Sequence, residues 1–262
     1  MHGFMPEAWL ALIIALYLIW RFFRKRSAEG FEASRSPLNW KHLLEDRIHL
    51  LQRLSPEQRQ GYHDKVQQFV SKKAFVGCAG LEVTDEMKTL IAGWACLLIL
   101  RKDAQLFPGV RSILIYPGPF RAAVSAPDEN GLVADQPPWM SGESWSGQRV
   151  ILSWQDVEAA LDGGPTNVVV HEFAHQLDDE FPQSEGAPLL PDYQRWAEVM
   201  QREFDEHRSQ TRPSLLDPYG AENPAEFFSV ASETFFQRGA EFSDQHPHLY
   251  QLLEDYYGIE TH

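Results

Sequence analysis

A chain of 262 residues with 44% hydrophobic content is long enough for one sizeable domain or two small ones, and its apolar share is ordinary for a globular protein. A formal net charge of -14 and a pI near 5.1 leave little room for a large basic surface, which argues against nucleic acid as substrate or direct partner. Cys78 and Cys96 form neither a disulfide framework nor a CxxC pair, which fits a reducing compartment, and no repeat, glycine-rich phosphate loop or low-complexity tract is present.

The first element is apolar. Thirteen uninterrupted apolar residues, Ala8 to Trp20, precede Arg21-Phe22-Phe23-Arg24-Lys25-Arg26. A bilayer span needs about 17 to 25 residues, a length that Phe4 to Phe23 reaches with Glu7 near one end and Arg21 able to snorkel at the other. Tyr17 and Trp20 suit an interfacial belt. A secretory signal would carry its positive charges before the apolar core, the reverse of this order, while an interfacial helix and a core helix remain as other readings. The basic cluster predicts a single span of the inner (cytoplasmic) membrane with everything beyond it in the cytoplasm; the alternative is a wholly cytoplasmic protein. Residues 1–27 therefore read as anchor and basic flank and 28–37 as a polar linker. Residues 38–262 read as the folded domain, helical over 38–105 and carrying the chemistry over 106–262.

Helical spacing covers Trp40 to Leu54. Ser55-Pro56-Glu57-Gln58 opens a second helix with a cap and an N1 proline, and Thr84 precedes a third running to about Arg101, with Cys96 in its core. Ser112 to Tyr116 and Val150 to Trp154 are strand-like runs. The second run reads either as a sheet edge along which an extended peptide pairs or as an ordinary strand. The pattern as a whole is α+β and predominantly helical, with a small sheet.

Gly163-Gly164-Pro165-Thr166 breaks the chain and offers a possible N-cap before Val168-Val169-Val170-His171-Glu172-Phe173-Ala174-His175-Gln176-Leu177-Asp178. Two histidines four apart share one helical face and reach one metal ion, and the glutamate beside the first is placed to hold a water rather than the metal. Zinc in such a site lowers the pKa of water to about 7, and Glu172 then moves the proton to a leaving amine. The pentad alone also occurs on surface helices with solvated histidines. Here the flanking valines, Phe173 and Leu177 predict a buried helix, whose polar groups need partners.

A third ligand must come from elsewhere. The His-x-x-Gly-x-x-His extension is absent, and the cysteines lie far upstream, so a glutamate on a second helix is the better candidate. Asn223 to Phe236 supplies that helix, with Asn223 as N-cap and Pro224 at its first position. Glu226 reads as the ligand or as the reciprocal arm of a capping box with Asn223, and Glu233, seven residues on, as a competing ligand, a supporting acid or an ordinary half-buried one. Asp178 either orients a ligand histidine or solvates the helix end.

The ordered set Ile113-Leu114-Ile115-Tyr116-Pro117-Gly118-Pro119-Phe120, Gly142-Glu143-Ser144-Trp145, Val150-Ile151-Leu152-Ser153-Trp154, His171 to Asp178, Tyr219 and Asn223-Pro224-Ala225-Glu226-Phe227-Phe228 resembles the Mlc titration factor A family of zinc metallopeptidases from about residue 37 onward. The resemblance, shared with the catalytic domain of anthrax lethal factor, implies a zincin-like metallopeptidase domain with one Zn²⁺ per chain and Glu226 as third ligand. It also implies that Tyr219, from its local sequence only a turn-flanking aromatic, faces the metal and donates a hydrogen bond to an oxyanion. The activity implied is peptide hydrolysis, aminopeptidase-like or general, on peptide or protein substrates. Members are named for capturing a transcriptional repressor, so sequestration of such a partner is the competing function. The apolar opening departs from the soluble enterobacterial pattern.

Overall fold

A computed structural model describes residues 37–101, 104–121, 139–140, 142–145, 148–179, 193–209 and 214–262. The expected membrane anchor, and the expected linker up to residue 36, lie outside these residues, and among the described residues no helix is long and apolar enough to cross a membrane. The chain divides between Leu43 and Leu44 into two units. Of the first, only the opening turns of helix α1 (Pro37–Arg47) are described.

The segment expected as one helix is α1 followed by a 3-10 turn, His49–Arg53. They part at Ile48, whose backbone leaves the helical region at φ -123 and ψ 84. Leu44, Ile48, Leu51 and Leu54 are nonetheless all buried, because steps of four, three and three residues keep one face in either kind of turn. Helix α2 (Pro56–Lys72) starts as its sequence dictates: Ser55 Oγ accepts the Gln58 N–H at 3.2 Å and Gln58 Oε1 accepts the Ser55 N–H at 3.0 Å. Helix α3 (Asp85–Leu97), capped by Thr84, stops short of Arg101. Its end tightens into i−3 bonds at Leu98 and Ile99, and the Lys65 ammonium takes the freed carbonyls of Ile99 and Arg101.

Strands β1 (Ala74–Gly77), β2 (Ser112–Tyr116) and β6 (Arg149–Ser153) are parallel neighbours, and β5 (Gly142–Trp145) adds antiparallel to β6. A separate pair joins β3 (Phe120–Arg121) to β4 (Trp139–Met140). Ile113 pairs with Val150 and Ile115 with Leu152, and all four are buried, so the period-2 apolar face of the sheet is continuous across both strands. The strand expected as a possible edge, β6, is interior: β2 and β5 flank it, and among the described residues β1 and β5 are the outer strands. Trp154 belongs to the next helix, α4 (Trp154–Leu161), because Ser153 Oγ caps it by accepting the Asp156 N–H at 3.4 Å.

The remaining elements are α5 (Val168–Asp179), α6 (Tyr193–Ser209), a 3-10 turn (Pro218–Ala221), α7 (Pro224–Gln237), α8 (Gly239–Gln245) and α9 (Pro247–Tyr257). Helix α5 contacts β5, β6, α3 and, most extensively, α7. Both α5 and α7 are buried on most sides; every residue of α7 from Phe227 to Phe236 is in the core. Phe173 locks α5 in place, its ring centroid 4.7 Å from Phe107 and 5.6 Å from Phe69. Phe107 occupies the left-handed region at φ 45, a conformation costing about 1–3 kcal/mol in a non-glycine residue. Burial of its ring and the Lys73 ammonium, 2.7 Å from its carbonyl oxygen, hold it there.

Candidate metal centre

Two helices bring the polar groups together. Asn167, fully buried, caps α5: its Oδ1 accepts the Val170 N–H at 3.1 Å, which places the cap just beyond the Gly163–Thr166 break. From that start the four-residue spacing puts His171 and His175 on one face, with ring centroids 4.9 Å apart. On α7, Asn223 Oδ1 accepts the Glu226 N–H at 3.0 Å and Pro224 takes the first position. The reciprocal arm of a capping box is absent; the Glu226 carboxylate turns to the histidines instead.

Glu226 Oε2 lies 3.1 Å from His171 Nε2 and 3.2 Å from His175 Nε2, and the two ring nitrogens are 3.2 Å apart. Three donors on such a triangle can hold one ion, since ligands at 2.0–2.1 Å around a tetrahedral zinc stand about 3.3 Å from one another. Among the described residues this is the group of acids, histidines and cysteines whose donor atoms converge in this way. Cys96 is fully buried, and desolvation pushes its thiol well up.

Behind the triangle, Glu233 Oε1 is 2.6 Å from His171 Nδ1, and its Oε2 accepts the Asn167 N–H at 2.7 Å. One carboxylate therefore fixes the His171 ring and ties it to the start of its own helix. Tyr219, on the 3-10 turn and 47% exposed, donates its hydroxyl to Glu226 Oε1 at 3.4 Å, and its ring centroid is 6.2 Å from that of His171. Glu172 is buried at 4% exposure, close enough for its charge to act on both His171 and Tyr219. Asp178 is half-buried on the last turn of α5, and among the described residues neither histidine bonds to it.

The electrostatics favour a cation. Burial opposes charge on His171, but hydrogen bonds to Glu226 and Glu233 and the charges of Glu233 and Glu172 outweigh it and raise its pKa to about 10. Burial likewise opposes charge on Glu226, yet hydrogen bonds from His171 and His175 hold its pKa down at about 2. Without metal, a proton thus sits where three ligands would share an ion. Tyr219 is raised to about 12 by burial and by the charges of Glu226 and Glu222, so it remains a hydroxyl donor at neutral pH.

Sequence reasoning missed Asn167, although an N-cap residue type directly before the valine run was the available signal. Spacing alone left Glu226 and Glu233 as rivals, since seven residues on one helix face do not show which carboxylate meets Nε2 and which meets Nδ1; the resemblance was what pointed to Glu226.

The sequence profile of the family described as glucose-regulated metallo-peptidase M90 matches residues 20–258. The chain is similar to an uncharacterized protein of Synechocystis, 40% identical over 236 residues that span 86% of this chain and 85% of the relative. It is also similar to Mlc titration factor A of Klebsiella pneumoniae, 32% identical over 238 residues, and of Cronobacter sakazakii, 33% identical over 238 residues, each alignment spanning 86% of this chain and 88% of the relative.

Proposed function

Because the chain belongs to the glucose-regulated metallo-peptidase M90 family, a family of metallopeptidases, we propose that it is a zinc-dependent peptidase whose single ion is held by His171, His175 and Glu226 in a zincin-like domain. The observation that carries the reading is the triangle of donor atoms 3.1 to 3.2 Å on a side, with Glu172 following the first histidine. When bound, zinc polarises a carbonyl and lowers the pKa of water to about 7.

The residues of the chain do the rest. Glu172 takes the proton of the attacking water and passes it to the leaving amine. Tyr219, protonated at neutral pH, donates to the carbonyl oxygen as it gains charge; its 3.4 Å contact with Glu226 is long and is readily exchanged for a substrate oxygen. Glu233 fixes the His171 ring through Nδ1 and leaves Nε2 for the ion. An extended peptide pairs with the outer edge of β5, which lies against α5, and cleavage is aminopeptidase-like or general. The scheme gives Asp178 no role.

The test is Glu172→Gln. The variant retains zinc and loses cleavage of a tryptic casein digest scored by release of new α-amines; cleavage at the wild-type rate overturns the mechanism. Metal analysis of Glu226→Ala and Glu233→Ala tests the ligand set, with zinc lost from the first and retained, more weakly, by the second. The apolar run from Phe4 to Phe23 and the basic residues after it support anchorage in the inner membrane with the catalytic domain in the cytoplasm. Release of the full chain by alkaline carbonate would refute that placement.

A second reading, capture of a transcriptional repressor, is favoured by the name that the Klebsiella and Cronobacter relatives carry, Mlc titration factor A. It predicts that Glu172→Gln still binds that partner and supports the cellular role.

A further inference from the structure

Tyr219 is the most exposed member of the site, so its own packing does little to place it; the position of its hydroxyl is set by the backbone of the turn that carries it. Asp217 caps that turn, its Oδ1 accepting the Tyr219 N–H at 2.9 Å. The Asp217 carbonyl oxygen accepts twice, from the Gly220 N–H at 3.0 Å and from Nε2–H of His207 at 3.0 Å. His207 lies on α6, is 6% exposed and rests against Phe227, the residue after Glu226, with ring centroids 5.9 Å apart. Its proton sits on Nε2, because a carbonyl can only accept, and among the described residues its buried Nδ1 has no hydrogen-bond partner. Gly220 lets the turn come this close: a Cβ there would stand 3.3 Å from Val230 Cβ and 3.4 Å from His207 Nε2. Among the described residues, His207 is the side chain from another element that hydrogen-bonds the backbone of this turn.

We infer that His207 is a positioning residue for Tyr219: by holding the Asp217 carbonyl it fixes the 3-10 turn so that the phenol points at the metal centre. The inference rests on the oxyanion role proposed for Tyr219. A buried donor on a helix with no other part in the site thus controls the geometry of a group that stabilises the transition state, where a displacement of about 1 Å is worth up to about a hundredfold in rate.

The test uses the zinc-loaded full chain and the tryptic casein digest. His207→Leu keeps the volume and removes the donor; His207→Gln places an amide N–H near the Nε2 position. Expected are a fall in kcat of about tenfold to a hundredfold for His207→Leu with KM and zinc content unchanged, and recovery to within about threefold of wild type for His207→Gln. In a Tyr219→Phe background His207→Leu should produce no further loss, because its effect passes through the missing hydroxyl. A readout independent of activity is the fluorine resonance of 3-fluorotyrosine at position 219, expected as one sharp signal in wild type and His207→Gln and as a broadened or split one in His207→Leu. If His207→Leu does not fold, His207→Asn, whose amide is too short to reach the carbonyl, takes its place. An unchanged fluorine signal in the donor-less variant, or an equal loss of kcat with and without the Tyr219 hydroxyl, overturns the inference. Wild-type kcat in Tyr219→Phe alone overturns the role given to Tyr219, a separate failure.

Discussion

Replacing Glu233 by Gln asks how much of the proposed site's metal affinity resides in a group outside the triangle of His171, His175 and Glu226. The carboxylate accepts from His171 Nδ1 at 2.6 Å and from the Asn167 N–H at 2.7 Å, one bond on each oxygen. A glutamine has one acceptor oxygen, so whichever bond it keeps, its NH₂ faces the other donor. The variant therefore loses one hydrogen bond to a charged acceptor, about 1.5–3 kcal/mol, and leaves one buried donor unsatisfied. If the amide keeps Asn167, the ring of His171 loses its orientation and its basicity, which costs about 10- to 100-fold in metal affinity, or about 1.4–2.7 kcal/mol. The two routes agree in size. Zinc affinity measured by competition with a chromophoric chelator should thus weaken by one to two orders of magnitude (about 10- to 100-fold) while stoichiometry stays at one. An affinity within about twofold of wild type would falsify the orienting role, and complete loss of binding would make Glu233 a direct ligand.

Other outcomes follow from the same geometry. Asn223→Ala removes the cap that fixes the first turn of α7, so it should cost about 1 kcal/mol in urea unfolding and weaken zinc through Glu226; equal zinc affinity would separate cap from ligand. Gly93→Ala places a Cβ 2.6 Å from Leu44 Cδ2 and 2.8 Å from Ile48 Cδ1, and should destabilise by about 1–3 kcal/mol with zinc affinity unchanged, since the clash lies in the α3 packing. For protons, the pKa of His171 in the metal-free fold is raised from 6.5 to about 10, so its imidazolium stabilises that fold fully below 6.5 and the contribution disappears as pH rises through about 10. Zinc bound at the proposed site would take the place of this proton, so binding at pH 8 should release about one proton, read by calorimetry in buffers of different ionisation enthalpy; no release would show that the ring is already neutral.

The parts of the fold written in local signals were legible. Ser55, Thr84 and Asn223 each cap the helix that follows, because a side-chain oxygen meeting an N–H three residues on is a short-range event; Ser153 caps in the same way, but the apolar run before it made it and Trp154 read as strand. Ends set by tertiary partners were not. Nothing near Leu97 in the sequence announces that Lys65, on another helix, will take the carbonyls beyond it. The order of strands was hidden for the same reason. Val150 to Ser153 has the composition of a strand in any position, and it is the pairing of Ser144 with Val150 that moves β6 inside and gives the edge to β5.

The site divides along the same line. His171, Glu172 and His175 sit within one turn of one helix, so spacing alone puts two nitrogens on one side; the third donor depends on where α7 crosses α5, a property of packed surfaces rather than of either segment. Once that crossing is known, the roles of the two glutamates cease to be alternatives. Glu226, at the start of α7, reaches the Nε2 side of both histidines, and Glu233, two turns deeper, reaches the Nδ1 side of one. The heptad that made them look interchangeable is what lets one helix address both nitrogens of the same ring, so moving either glutamate by one residue would turn its carboxylate about 100° away and disconnect it. That dependence makes the crossing of α5 and α7 the feature on which the chemistry rests, and the burial of Phe227, Phe228 and Phe173 around it the reason the crossing is fixed.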